Sequence, residues 1–133
     1  MSRLLLDTTF LVDADRSKAS LDELIDDEDE LAIAAITVAE LLVGVSLADD
    51  AHRADRQQFV DEVKETIPII DYDATIAAAH AELLVAVHRQ GRPRGAHDLI
   101  IAATANATQR EVVTADDLAY GDLPGVVVRP HRS

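Results

Sequence analysis

The sequence contains no cysteine and only four aromatic residues among its 133 positions. Without cysteine there are no disulfide bonds and no thiolate metal ligands, and this composition fits a reducing compartment, so we expect a cytoplasmic protein. Two phenylalanines, two tyrosines and no tryptophan offer little on which nucleic-acid bases could stack. The composition therefore disfavours secreted disulfide-rich domains and single-strand binding platforms.

Basic residues are also scarce. Twelve lysines and arginines face 25 acidic residues, which gives a formal net charge of -13. Such a charge repels phosphates, so a role on nucleic acid requires divalent cations at an acidic site or a basic partner. Only Lys18 and Lys64 are lysines. A phospho-signalling receiver domain needs a lysine late in the chain, and this alternative is therefore disfavoured.

No apolar run has the character of a membrane span. The longest apolar region, residues 31–48, carries Glu40 near its middle, and a central carboxylate costs about 2.5–3.5 kcal/mol on insertion scales. Asp7 interrupts the leucines at the start of the chain, so we predict no secretory signal. We expect no membrane association and one domain that spans residues 1–133.

Short aliphatic runs alternate with helical patterns along the chain. The predicted strands cover residues 4–6, 31–36, 67–70, 111–114 and 126–128. The predicted helices cover 9–15, 20–29, 37–47, 50–65 and 74–89, and another begins at His97 or Asp98. Such alternation predicts an α/β fold, with a central, mostly parallel sheet of about five strands flanked by helices.

Four acids recur at comparable places in this pattern. Asp7 and Asp116 each follow an apolar strand, whereas Glu40 and Asp98 are each predicted in the first turn of an apolar helix. In a parallel sheet the ends of the strands and the starts of the following helices share one edge, where ligands bind. The sequence therefore predicts that all four carboxylates converge on one cleft.

Each of these acids also has a structural alternative. Glu40 follows Thr37 at the spacing of a capping box, Asp98 suits a helix N-cap, and Asp116 with Asp117 suits a surface turn.

Clustered carboxylates need a counter-charge, because two anions about 4 Å apart repel by roughly 4 kcal/mol at an effective dielectric of 20. A divalent cation reverses the sign of this interaction. Oxygen ligands without cysteine favour Mg²⁺ or Mn²⁺ over zinc. A metal site open to water fits the hydrolysis of a phosphodiester.

Four segments of the sequence resemble those of a known family. They are Leu-Leu-Leu-Asp7-Thr-Thr, Thr37-Val-Ala-Glu40-Leu-Leu-Val-Gly44, His97-Asp98-Leu-Ile-Ile-Ala-Ala-Thr104 and Val-Thr114-Ala-Asp116. In this order they resemble the PIN-domain family, and in particular the VapC-type toxins of bacterial toxin–antitoxin pairs. The resemblance implies a parallel sheet of about five strands between helices, and Mg²⁺- or Mn²⁺-dependent endoribonuclease activity.

The resemblance also implies roles for individual residues. The implied metal-binding and catalytic acids are Asp7, Glu40 and Asp98, with Asp116 as the fourth and more variable acid. Thr9 and Thr114 correspond to the polar residues that accompany these acids. The last motif lacks the usual acid just before its aromatic residue, which leaves Asp117 as a rival of Asp116.

A partner is implied as well. VapC toxins are held inactive by a cognate VapB-type antitoxin, whose tail enters the acidic cleft, often with an arginine that competes for the carboxylates. These proteins commonly form homodimers, which could join two clefts into one RNA groove lined by Arg89, Arg92 and Arg94. Two alternatives stay open: a catalytically weak PIN domain that binds RNA or protein, and a nuclease that cleaves DNA or processes RNA generally.

Two further residues receive structural interpretations. Gly44 stands inside a predicted helix, at a cost near 1 kcal/mol, and is interpreted as allowing close packing against the sheet. His97 is interpreted as an ordinary residue at the start of its helix.

Overall fold

A single parallel sheet forms the centre of the protein in the computed structural model, which describes residues 1–18, 23 and 25–130. Its strands are β1 (Arg3–Leu6), β2 (Glu30–Ala34), β3 (Ile69–Ile70), β4 (Glu111–Thr114) and β5 (Val128–Pro130). They lie in the order β3-β2-β1-β4-β5, and every neighbouring pair is parallel. The predicted α/β fold with about five parallel strands is confirmed.

Helices cover both faces of this sheet. They are α1 (Thr8–Ser17), α2 (Ala35–Leu47), α3 (Asp50–Thr66), α4 (Ala74–Gln90) and α5 (Ala96–Thr108), followed by a short 3₁₀ helix (Asp117–Tyr120). Aspartate side chains cap several of them, as for α4, where Asp73 accepts a hydrogen bond from the amide of Ile76 at 2.9 Å. Gly91 ends α4 at φ 67°, a left-handed conformation that glycine adopts without steric cost.

The leucines of β1 divide the core into two layers. Leu4 and Leu6 pack with residues of α1, α2 and α3, whereas Leu5 packs with residues of α4 and α5. This division follows from the strand geometry, because successive side chains point to opposite faces of a sheet. An aliphatic run buried on both faces is typical of a central parallel strand.

The order of the strands places a switch point beside β1. From β1 the chain first adds β2 and β3 on one side, and later β4 and β5 on the other. In open α/β sheets a ligand-binding crevice forms outside the carboxyl ends of the strands at such a point. The carboxyl ends of β1 and β4 carry Asp7 and Thr114, so two of the predicted site residues lie there.

Some predicted element boundaries are wrong. The strand predicted at 31–36 ends at Ala34, because α2 begins at Ala35. The strand predicted at 67–70 is reduced to Ile69–Ile70, and the last strand begins at Val128 rather than Val126. Residues 20–22 and 24 of the helix predicted at 20–29 lie outside the described residues, and residues 25–29 are not helical.

Within the described residues, no helix combines the length and the apolar character that a membrane crossing needs. The apolar region 31–48, which comes nearest in sequence, is divided between β2 and α2.

Candidate active site

Asp7 is the most buried of the four acids, with 2% of its surface exposed. It follows β1 and caps α1, and its Oδ1 accepts hydrogen bonds from the amide of Phe10 at 2.9 Å and the hydroxyl of Thr9 at 2.8 Å. Its Oδ2 accepts a hydrogen bond from the hydroxyl of Tyr120 at 2.8 Å. The carboxylate is therefore fixed in one orientation at the switch point of the sheet.

Glu40 reaches the same edge from α2. The N-cap of α2 is Ala34, so Glu40 lies in the second turn, and both its predicted first-turn position and the capping-box alternative with Thr37 are wrong. Its Oε1 accepts a hydrogen bond from the hydroxyl of Thr8 at 2.7 Å. Its Oε2 lies 3.3 Å from Nδ1 of His97. His97 is thus more than a helix-start residue, because it contacts one of the four acids.

Asp98 lies in the first turn of α5, as predicted, but it does not cap the helix. The N-cap is Gly95, and a Cβ at that position would lie only 2.8 Å from Oδ2 of Asp98. Burial raises the pKa of Asp98, and the negative charges of Asp7, Glu40 and Asp116 raise it further. These three carboxylates are thus close enough to oppose the ionisation of Asp98.

The fourth acid, Asp116, is exposed at the start of the 3₁₀ helix. Its amide donates a hydrogen bond to the hydroxyl of Thr114 at 2.9 Å, and that hydroxyl lies 3.1 Å from the hydroxyl of Thr9. The two predicted threonines therefore link the ends of β1 and β4. The side chain of Asp117 lies outside the described part of the structure, so its rivalry with Asp116 stays a prediction.

Three of the acids line one open cavity of about 350 Å³. Asp7, Glu40 and Asp98 belong to this lining, whereas Asp116 stands outside it but acts on Asp98 through its charge. The cavity also has lining residues that the sequence interpretation did not select, which are Thr8, Val12, Asp13, Arg16, Ile101 and Ala115. A helical repeat from Thr9 through Val12 and Asp13 to Arg16 is the sequence signal that could have indicated one face of α1.

The donor chemistry of this cavity fits a hard divalent cation, since carboxylate oxygens supply it. Among the residues that the structure describes, however, no group of three or more histidine, aspartate or glutamate side chains is placed to hold one ion. Mg²⁺ is commonly held by only one or two carboxylates and keeps several water molecules. The carboxylates of the cavity therefore fit an ion of this kind.

The predicted arginine cluster lies away from this lining. Arg92 forms an ion pair with Asp122 at 3.1 Å. Arg94 donates hydrogen bonds to the backbone carbonyls of Leu118, at 3.3 Å, and of Gly121. Arg89 is exposed at the end of α4. Two of the three arginines thus already bind the segment after β4, and an RNA-binding role for the cluster stays a prediction.

Gly44 does not pack closely against the sheet, so that interpretation is wrong. A Cβ at this position would meet no atom within 4 Å. Gly44 instead lines a second, mostly apolar pocket of about 60 Å³ with Leu41 and Phe59. This pocket shares Val12, Arg16 and Glu40 with the acidic cavity, so the two lie side by side.

Fold and site together define a parallel α/β domain with an acidic, open cavity at the switch point of its sheet. The chain belongs to the PIN-domain family, whose profile matches residues 4–120. The resemblance of the four sequence segments is confirmed by this match, and the family region includes all four acids.

Two proteins illustrate the similarity in sequence. Ribonuclease VapC5 of Mycobacterium tuberculosis is 37% identical over 115 residues, which cover 84% of this chain and 82% of that protein. The tRNA(fMet)-specific endonuclease VapC of Shigella flexneri is 30% identical over 129 residues, which cover 95% of this chain and 96% of that protein.

Solved structures show the same similarity in three dimensions. VapBC-5 of Mycobacterium tuberculosis, a member of the VapBC family of toxin–antitoxin systems, aligns with a TM-score of 0.78 and 32% identity over 100% of both chains. VapBC2 of Rickettsia felis, bound to a DNA fragment from its promoter, aligns with a TM-score of 0.88 and 25% identity, covering 98% of this chain and 99% of that chain.

Proposed function

We propose that this protein is a Mg²⁺- or Mn²⁺-dependent endoribonuclease that acts as the toxin of a toxin–antitoxin pair in the cytoplasm. One observation carries the proposal: Asp7, Glu40 and Asp98, from distant parts of the chain, line one open cavity at the switch point of the sheet. The similarity to proteins named ribonuclease and endonuclease VapC supports the same reaction class.

Some residues of the cavity would bind the metal ion, and others would orient the acids that bind it. Asp7 and Asp98 would hold the ion, with Glu40 and Asp116 acting directly or through water. When bound, the ion would activate a water molecule and neutralise the charge that develops on the phosphate. Thr9 and the amide of Phe10 fix the orientation of Asp7, and Thr8 and His97 fix that of Glu40. Arg16 lines the same cavity and offers a cation to a substrate phosphate.

The reaction would be the hydrolysis of a phosphodiester bond in RNA. The oxygen of water forms a new bond to phosphorus, and the bond from phosphorus to the leaving oxygen breaks. One proton leaves the attacking water, and the leaving oxygen takes up one proton. Arg89, Arg92 and Arg94 would add to substrate binding if two copies of the chain formed a dimer with joined clefts.

A VapB-type antitoxin is the proposed partner. The solved relatives include VapBC complexes, and the acidic cavity and the adjacent apolar pocket of this chain suit such a ligand. An arginine of the partner would pair with the carboxylates of the acidic cavity, since a guanidinium matches carboxylates geometrically. A neighbouring apolar side chain would enter the pocket that Gly44 keeps open.

The decisive experiment is cleavage of total RNA by the purified chain, with the new ends mapped. We expect cleavage in Mg²⁺ or Mn²⁺, none in EDTA, and none by Asp98→Ala with its fold intact by circular dichroism. Full activity in EDTA would contradict the metal mechanism.

One observation favours a second candidate, a PIN domain that binds RNA or a protein without cutting. In the described part of the chain, no three acidic or histidine side chains are already placed around one ion. Binding of RNA by the wild type with no cleavage at any Mg²⁺ or Mn²⁺ concentration would support this candidate instead.

The partner is tested separately. A small protein with a basic tail, encoded beside this one, should bind the chain and inhibit cleavage, and the inhibition should weaken when the arginines of its tail are replaced. If no neighbouring gene encodes such a protein, the proposed toxin role loses its support.

A further inference from the structure

The hydroxyl of Tyr120 is buried and points at one of the acids. The residue is only 2% exposed, and its ring lies in the core layer that includes Leu5, Leu99 and Leu123. The hydroxyl donates a hydrogen bond to Oδ2 of Asp7 at 2.8 Å. A phenolic hydroxyl carries a proton that it can donate, whereas an ionised carboxylate can only accept.

This hydrogen bond limits the number of acceptor positions on Asp7 that are left for a ligand. An ionised carboxylate offers about four acceptor positions, two on each oxygen. Oδ1 already accepts hydrogen bonds from Thr9 and from the amide of Phe10. Oδ2 accepts one, from Tyr120. One position on Oδ2 is therefore left, and Asp7 lines the open cavity.

The segment that carries Tyr120 is held in place by the end of α4 and the loop after it. The side chain of Gln90 donates a hydrogen bond to the carbonyl of Asp122 at 2.8 Å. Arg92 pairs with the carboxylate of Asp122, and Arg94 donates to the carbonyls of Leu118 and Gly121. These contacts fix the backbone on both sides of Tyr120, so its hydroxyl has a defined place beside Asp7.

We propose that Tyr120 is a positioning residue, whose hydroxyl fixes Oδ2 of Asp7 so that its remaining acceptor position faces the cavity and can hold a divalent cation. The inference rests on the proposed metal site and adds a residue to it. Supporting partners of metal ligands typically contribute 10–100-fold to metal affinity or activity. We therefore expect the hydroxyl to matter for the ion and hardly at all for the binding of RNA.

The test is Tyr120→Phe, which removes the hydroxyl and keeps the ring. Its matched control is Tyr72→Phe, because Tyr72 is half exposed and its hydroxyl contacts only His80 among the described residues. Mn²⁺ binding is measured by electron paramagnetic resonance of the free ion, and RNA cleavage is measured in parallel. We expect Tyr120→Phe to bind Mn²⁺ roughly tenfold or more weakly and to lower kcat by a similar factor, with KM for RNA nearly unchanged. Tyr72→Phe should match the wild type.

A purely structural role of the hydroxyl would lower the melting temperature of the Tyr120→Phe variant and leave Mn²⁺ affinity within twofold of the wild type. That result would overturn the proposal. If Tyr120→Phe does not fold, wild-type protein labelled with 3-fluorotyrosine provides the test through its two ¹⁹F resonances. The Tyr120 resonance should shift saturably with Mg²⁺ while that of Tyr72 does not, and an unchanged Tyr120 resonance in saturating Mg²⁺ would equally overturn the proposal.

These outcomes separate the two proposals. A wild type that neither binds Mn²⁺ nor cleaves RNA contradicts the proposed function. A wild type that does both, beside a Tyr120→Phe variant that is indistinguishable from it, contradicts only the role of Tyr120.

Discussion

Carboxylates at the two ends of the sheet have different kinds of partner. At the amino ends of the strands, acids are neutralised by arginines from neighbouring parts of the chain. The pairs there are Arg3–Glu30 at 3.3 Å, Arg110–Glu30 at 3.3 Å, Arg129–Glu111 at 3.1 Å and Arg129–Asp29 at 3.9 Å. Arg110 also donates to the carbonyls of Leu4 and Glu30, so this network ties the strands together.

At the carboxyl ends, hydroxyl and amide donors take the place of arginines. Asp7 is held by Thr9, Phe10 and Tyr120. Across the described residues, His97 is the sole basic side chain within ion-pair distance of any of the four acids. Hydrogen bonds fix the orientation of a carboxylate but leave most of its charge uncompensated. The comparison indicates that the amino ends stabilise the fold, while the carboxyl ends retain charge for a ligand at some cost in stability.

The largest predicted effect tests this division through activity. Asp7→Asn should lower RNA cleavage in Mg²⁺ by roughly a hundredfold or more, because it removes a proposed metal ligand rather than a supporting residue, whose loss costs about 10–100-fold. Glu111→Gln, at the amino ends, should leave kcat unchanged. If folded Asp7→Asn and Glu111→Gln cleave RNA at the same rate, the proposed difference between the two ends of the sheet is contradicted.

The next effect is on stability at the amino ends. Arg110→Met should lower the free energy of unfolding by about 1.5–3 kcal/mol, because a side chain that is only 9% exposed loses hydrogen bonds to a carboxylate and to carbonyls. Denaturant unfolding measures this change. The folded fraction should retain the RNA-cleaving activity of the wild type, and a loss of that activity would show that the two ends are not independent.

Replacing one acid at each end should change stability in opposite directions. The raised pKa of Asp98 means that its ionised form destabilises the metal-free fold as pH rises above the ordinary value of 3.8. Asp98→Asn should therefore raise the melting temperature at pH 7 by a few degrees, and this gain should vanish below that value. Asp29→Asn, which weakens contacts with Arg129 and the amide of Ser2, should lower it at pH 7.

Divalent metal should reverse the order of the melting temperatures of the wild type and the Asp98→Asn variant. An ion that binds only the folded state adds about 2.7 kcal/mol at a hundred times its Kd. Thermal melts in saturating Mg²⁺ should therefore place the wild type above Asp98→Asn. If Mg²⁺ raises both melting temperatures equally, Asp98 does not hold the ion.

The smallest effect concerns the pocket beside the cavity. Gly44→Ala should raise the free energy of unfolding by about 0.5–1 kcal/mol, because alanine favours the helix and its Cβ has room. Gly91→Ala should lower it, since Gly91 adopts φ 67°. A destabilised Gly44→Ala variant would show that this position is not open, and it would contradict the proposed entry of an antitoxin side chain beside Gly44.

The sequence predicted those parts of the fold that depend on local chemistry. Strand β4 has the predicted bounds, and α4 begins at Ala74 as predicted and ends at Gln90, one residue later than predicted. Asp73 caps a helix by itself, and Gly91 supplies a left-handed residue, so neither needs distant partners. The edge strands were predicted less well, because short runs with one neighbouring strand begin and end where their pairing allows.

For the candidate site, too, the sequence predicts the features that depend on local patterns and not those that depend on distant contacts. Asp7 and Asp98 lie where local patterns place them, but Glu40 lies a turn later than predicted because the backbone at Ala34 and Ala35 leaves β2 and enters α2 early. The sequence does not predict the inward contacts of Arg94 or the hydrogen bond from Tyr120 to Asp7. Their partners are far away in sequence, and no local spacing indicates such contacts.

The order of aliphatic runs, caps and acids along the chain was enough to specify a parallel α/β sheet with carboxylates at one edge, because strand period, helix capping and the direction of parallel strands act locally. Only the tertiary structure decided which of those carboxylates meet a hydroxyl, a histidine or an arginine. Those pairings join residues as far apart as Asp7 and Tyr120, and they form only when packing of the two core layers brings the ends of β1 and β4 together.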